Sequence, residues 1–290
     1  MTKVKSSWIN CLWVIIPSIT LIVFVLVPFI GELSNSFDKS TATGLNGFSR
    51  VANDSSFSIA FGNSVLYMLV PLISLPISII VSFLIASINN KWIRNNSIAS
   101  IFIQYLFVSV AIGAAFSFLF QANYGFINSI RVSNGKSPIQ WISSDTFMTQ
   151  VTTIIYLSIT SLPLQIALLS LWFIHTDIKY NKVFKSNNIV KSKDKLLIYL
   201  SDNRSQIMFM CIFSMLSMLS IYPIALFGGS TTEMFSSNGQ TIVGYINYMI
   251  NIDQIGNASA ASIYFILFIF FLSICFYLAN RWLKSRYKYA

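Results

Sequence analysis

The sequence predicts an all-α polytopic membrane protein of six transmembrane helices in a single domain, and three observations carry that expectation. Of 290 residues, 55% are hydrophobic and only 10% charged, with a mean hydropathy of +0.68, whereas soluble domains carry about a quarter charged residues. A helix rises about 1.5 Å per residue, so a hydrocarbon core of ~30 Å needs ~20 apolar residues. Six such runs occupy 8–30, 64–88, 97–120, 147–174, 207–227 and 258–280, and none holds Asp, Glu, Lys or Arg. Barrel strands would alternate over about ten residues, which these runs do not. Finally, segments 1–7, 89–96, 175–206 and 281–290 carry 15 of the 19 Lys and Arg. The positive-inside rule therefore puts these segments, and both termini, in the cytoplasm.

The net charge of +10 is then mostly topology, and no aromatic-interleaved basic patch points to nucleic acid. Cys11, Cys211 and Cys275 lie in apolar runs without CxxC spacing, which supports neither a disulfide framework nor a zinc site. His175 is the single histidine, and no catalytic or metal-ligand constellation can be built around it. Gly135-Lys136-Ser137 resembles the end of a phosphate-binding loop, but Ile130 stands where the first glycine of GxxxxGK[ST] is required. No enzyme activity, cofactor or metal is expected of this chain.

Along the chain, Trp8 to Ile30 is too long an apolar stretch for a signal peptide and reads as a membrane anchor. Gly31 to Asn63 reads as an outer loop, containing Gly44-Leu45-Asn46-Gly47-Phe48, then Asp54, Phe57 and Gly62-Asn63-Ser64. This string resembles the "GLxNY…D..F…xGNT" stretch of sugar-type ABC importer permeases, the maltose and glycerol-phosphate class. The second and third runs are joined by the short turn 89–96, which makes them antiparallel neighbours. Gln104 is the clearest polar residue of the third run and either bonds a neighbouring helix or faces a solute path. Beyond it, Tyr124-Gly125-Phe126-Ile127-Asn128 and Pro138-Ile139-Gln140-Trp141-Ile142-Ser143 are similar to the family's "yGliN" and "piDWLs" strings, in the same order.

The fourth run holds Ser158, Thr160, Ser161, Pro163 and Gln165. The proline frees a backbone carbonyl, for which the hydroxyls are available partners; a "glP" stands at the same place in the family, near its translocation path. In the fifth run Ser214, Ser217 and Ser220 recur every three residues before Tyr222 and Pro223, facing either a neighbouring helix or a wet path. The candidate substrate-path residues are accordingly Gln104, Ser161, Gln165, Ser220 and Tyr222.

Between these runs lies the basic loop 175–206. Thr176 or Asp177 is a candidate cap for a short helix, after which Tyr180, Val183 and Phe184 share one face and Lys179, Lys182 and Lys185 another. Such a helix suits either a groove on a partner protein or anionic lipid. Two landmarks of the family agree in register here, one counted from Pro163 to Asp177 and one matching Ile198-Tyr199-Leu200-Ser201 and Arg204. The family's "EAA…G" coupling motif then falls on Lys182-Val183-Phe184 and Asn188, degenerate in residue type but retained in length. Asparagine accepts a left-handed backbone, so the helix is expected to stop at Asn187-Asn188. The candidate ATPase-coupling residues are Tyr180, Lys182, Val183, Phe184, Asn187 and Asn188.

Downstream, Phe227-Gly228-Gly229-Ser230 resembles the family's "TgGGP" turn, Thr241 to Ile252 reads as a re-entrant or surface helix, and Gly256-Asn257-Ala258-Ser259-Ala260 resembles "GyAsA". The resemblance spans about residues 12 to 282. It implies a type I (MetI-like) permease fold in a bacterial plasma membrane. It also implies a second permease, ABC ATPase subunits and an extracytoplasmic solute-binding protein as partners, with membrane lipid around them. The degenerate coupling motif leaves two functions open: a carbohydrate importer permease, or a scaffold or sensor subunit that moves nothing.

Overall fold

The computed structural model describes residues 15, 17–37, 46–106, 109–122, 125–143, 145–186 and 192–287, and helices carry most of them. In chain order these are α1 (Pro17–Ser36), α2 (Gly47–Ala52), α3 (Ser55–Met68), α4 (Pro71–Ala86), α5 (Lys91–Leu106), α6 (Ser109–Phe120) and α7 (Phe126–Ser133). They are followed by α8 (Thr146–Ser186), α9 (Ser192–Asp202), α10 (Arg204–Leu219), a 3-10 turn (Ile224–Phe227), α11 (Thr231–Ser236), α12 (Ile242–Asn251) and α13 (Ile255–Tyr287). Four described stretches are long and apolar enough to cross a membrane: Pro17–Ser36, Ser55–Ala86, Thr146–Phe184 and Ile255–Leu278. The expected third and fifth runs are represented by shorter apolar helices, Ala111–Phe120 and Arg204–Leu219.

The chain divides into two compact units, one of Met1–Ser58 with Tyr245–Ala290 and one of Ile59–Gly244. In the first, the segment expected to be a loop carries structure: α1 continues to Ser36, and α2 follows, capped by Asn46, whose side chain accepts from the Ser49 amide. Gly47 packs so closely on the carbonyls of Gly256 and Ser36 that a Cβ has no room there. Arg50 Nε donates to Asn257 Oδ1 at 2.7 Å, and the Tyr245 hydroxyl donates to Asp54 Oδ2 at 2.6 Å. The strings around Gly47 and Gly256 thus form one clip.

In the second unit α4 lies along α8. Ser74, Ser78 and Ser82 recur every four residues and are fully buried, small enough to let the two helices approach; Ser82 Oγ donates to the Ile166 carbonyl at 3.0 Å. Asn63 Nδ2 donates to the carbonyls of Asn238 and Gln240, Gln150 Nε2 donates to Asn63 Oδ1, and Ser64 Oγ accepts from the Ile242 amide. Asn128 joins its own string to that of 138–143, donating to the Ile139 carbonyl at 2.8 Å and accepting from its amide at 3.0 Å. Gly228 (φ 63°) and Gly229 (φ 80°) make the expected sharp turn. Gly135 (φ 71°) closes α7 as a left-handed C-cap, with the Lys136 amide on the Arg131 carbonyl. That is the structural use of Gly135-Lys136-Ser137.

Candidate functional site

The second unit holds a cavity of about 710 Å³, within the roughly 300–1,000 Å³ of small-molecule sites. All five candidate path residues line it: Gln104 from α5, Ser161 and Gln165 from α8, and Ser220 and Tyr222 from the turn after α10. They are drawn from three stretches far apart in sequence and meet because α5, α6, α8 and α10 converge there. Each is held differently. Gln165 is 1% exposed; its Oε1 accepts from Ser78 Oγ at 2.8 Å and its Nε2 donates to Ser214 Oγ at 3.2 Å. It ties α4, α8 and α10 together and so fixes the wall. Ser161 donates to the Ser158 carbonyl and Thr160 to that of Leu157, one and two residues before the Ile159 carbonyl that Pro163 leaves unpaired. Ser217, also on the wall, bonds the Phe213 carbonyl of its own helix and no other group among the described residues. The Tyr222 hydroxyl is shielded from solvent and has no hydrogen-bond partner among the described residues.

Tyr105 and Tyr156 also line the cavity and were missed from sequence. The signal available was that each is a phenol in an apolar run, Tyr105 next to Gln104 and Tyr156 five residues before Ser161.

At its far end α8 reaches the basic corner. No helix starts at Thr176 or Asp177: α8 runs unbroken from Thr146 to Ser186, because nothing between Pro163 and Ser186 interrupts it and the polar groups expected to cap find partners across the corner. Thr176 Oγ1 donates to Asp202 Oδ2 at 2.9 Å and accepts from Asn203 Nδ2 at 2.7 Å. Lys179 Nζ lies 2.6 Å from Asp202 Oδ1, to which Tyr180 also donates at 3.1 Å. The Tyr199 hydroxyl donates to Asp177 Oδ1 at 2.7 Å. The hydrogen bond from Lys179 holds the Asp202 carboxyl below the usual carboxylate range, against partial desolvation and with help from Thr176 and Tyr180. Burial, with the bond to Asp177, pushes the Tyr199 phenol up.

The expected shared face of Tyr180, Val183 and Phe184 divides. Phe184 is 6% exposed and packs with Phe83, Phe173 and Tyr199, with Tyr180 against the same cluster. Val183 is 42% exposed, Lys182 is exposed, and Ile178, which sequence reasoning passed over, is 67% exposed. The aromatic pair is used internally, and the outward surface is aliphatic and basic. Asn187 and Asn188 lie outside the described residues.

No family model matches the chain. It is similar to a probable ABC transporter permease protein of Mycoplasma genitalium, 27% identical over 93% of this chain and 85% of that protein. It is also similar to the homolog of that protein in Mycoplasma pneumoniae, 27% identical over 91% and 81%. Among solved structures it superposes on a chain of a bacterial alginate ABC transporter in complex with an alginate pentasaccharide-bound periplasmic protein. The TM-score is 0.78, with 14% identity over 97% of this chain and 96% of that one. A chain of a bacterial ABC transporter that imports the acidic polysaccharide alginate gives a TM-score of 0.75, with 13% identity over 96% of each. The chain thus has an all-α polytopic fold related to that of ABC importer permeases.

Proposed function

We propose that the chain is the membrane-spanning permease subunit of an ATP-driven carbohydrate importer in a bacterial plasma membrane. The observation that carries this reading is the convergence of Gln104, Ser161, Gln165, Ser220 and Tyr222 on one cavity of about 710 Å³. In this reading the chain crosses the membrane six times in the type I (MetI-like) arrangement, with both termini and the corner 175–206 in the cytoplasm. It pairs with a second permease, receives solute from an extracytoplasmic binding protein and is driven by ABC ATPase subunits.

The mechanism follows from α8. One unbroken helix carries Ser161 and Gln165 on the cavity wall and Ile178, Lys182 and Val183 on the exposed corner. Gln165 and Tyr180 are separated by about 22 Å of helix axis. The corner is braced by Asp202 and Asn203, so a push on it from a partner ATPase moves the cavity wall as a lever rather than bending the loop. Cavity access then alternates with the ATPase cycle.

The test is purification of the chain from its host in mild detergent, with mass spectrometry of its partners and an ATPase assay. Recovery of a second permease, an ATPase and a binding protein, with turnover stimulated by saccharide, is the expected result. Isolation of the chain without any ATPase replaces this reading with the scaffold or sensor, which the degenerate segment Lys182-Val183-Phe184 and the inward Phe184 would then explain.

A further inference from the structure

The chemistry of the cavity wall restricts the cargo further. Its polar lining consists of five Ser and Thr hydroxyls, two glutamines and three tyrosines, and none of its described lining residues is Asp, Glu, Lys, Arg or His. The stretch 106–110, which joins two of the lining helices, has no such residue either. An anion entering this wall leaves its hydration shell and meets no cation in exchange, a desolvation cost that hydroxyls and amides do not offset. A polyhydroxylated neutral solute meets donors and acceptors of its own kind, with Tyr105, Tyr156 and Phe213 as apolar surface for its C–H faces.

We infer that this cavity selects an electrically neutral saccharide or polyol and turns away uronates and sugar phosphates. The inference rests on the importer reading above. It separates this chain from the structurally similar transporter that imports the acidic polysaccharide alginate: a shared fold does not bring a shared cargo charge.

The test uses the complete detergent-purified complex without its binding protein, so that the selectivity of that protein does not enter. Ligand-induced shifts of the unfolding temperature are read for a neutral glucotrisaccharide, the matching uronic-acid trisaccharide, a hexose phosphate and a neutral dipeptide. The neutral trisaccharide is expected to raise the unfolding temperature and the two anions to leave it unchanged. Ser217→Lys, at a wall hydroxyl whose hydrogen bond among the described residues is to the Phe213 carbonyl of its own helix, gains a response to the uronate. A response of the native complex to the uronate or the phosphate overturns neutrality and leaves the carbohydrate reading standing. A response to the dipeptide alone overturns the saccharide assignment together with that reading. No shift with any of the four overturns the cavity as the solute site.

Discussion

The cavity and the basic corner sit on the same helix and are built by opposite rules. Around Gln165 the polar groups are uncharged and satisfied by one another through Ser78 and Ser214. At the corner the Asp202 carboxylate, 18% exposed, forms an ion pair with Lys179 and also accepts from Thr176 and Tyr180. A charge at the centre of a bilayer costs ~2.5–3.5 kcal/mol on insertion scales, whereas near water it costs little. The change of chemistry along α8 therefore follows the change of solvent, and the two regions are stiffened by different means.

Four substitutions break or sharpen this contrast. The largest effect is expected at Phe184. Because its ring is buried with Phe83, Phe173 and Tyr199, Phe184→Ala removes about 3–5 kcal/mol of packing, seen as loss of the assembled complex by size-exclusion chromatography. Val183→Ala at the exposed neighbour changes stability by no more than about 0.5 kcal/mol and lowers solute-stimulated ATPase turnover in the assembled complex. The reverse ranking would place the partner-facing surface on the aromatic side.

Next comes the cavity wall. Gln165→Ala removes the amide that donates to the buried Ser214 hydroxyl and leaves Ser78 only its Ser74 carbonyl acceptor; it costs on the order of 1–3 kcal/mol, read as a lower unfolding temperature without solute. An unchanged temperature would mean that the amide does not brace the three helices.

The smallest effect is pH dependence at the corner. The Asp202 carboxyl is held below its unfolded value of about 3.9, so its contribution is present above that pH and lost as pH falls through the lower folded value. The difference in unfolding temperature between native and Asp202→Asn proteins should be constant from about pH 5 to 8 and shrink below about pH 4. A gap that persists in acid would assign the effect of the substitution to packing rather than charge.

Much of the cavity was legible because a polar residue in an apolar run has few reasons to be there. Gln104, Ser161, Gln165, Ser220 and Tyr222 all proved to line one space. The corner was less legible. Helical spacing placed Tyr180, Val183 and Phe184 on one side, but spacing does not say which part of that side is already occupied by the chain itself. Tyr199 and Phe83, 15 and 101 residues away from Phe184, occupy it. The resemblance strings behaved differently again. Gly47 with Gly256, Asn63 with Gln240 and Asn128 with Ile139 turned out to be backbone clips, so the most recognisable residues hold the scaffold and the least distinctive serines line the site.

By itself the sequence determined the all-α class, the placement of the apolar runs and the clustering of positive charge, because partition between water and hydrocarbon depends on local composition and length. Only the tertiary structure decided that α8 runs unbroken from cavity to corner, that Phe184 turns inward, and that Gln165 is fastened to Ser78 and Ser214 across 87 and 49 residues of chain. Those outcomes depend on which surfaces meet when helices pack, and no local property of a segment specifies its partner.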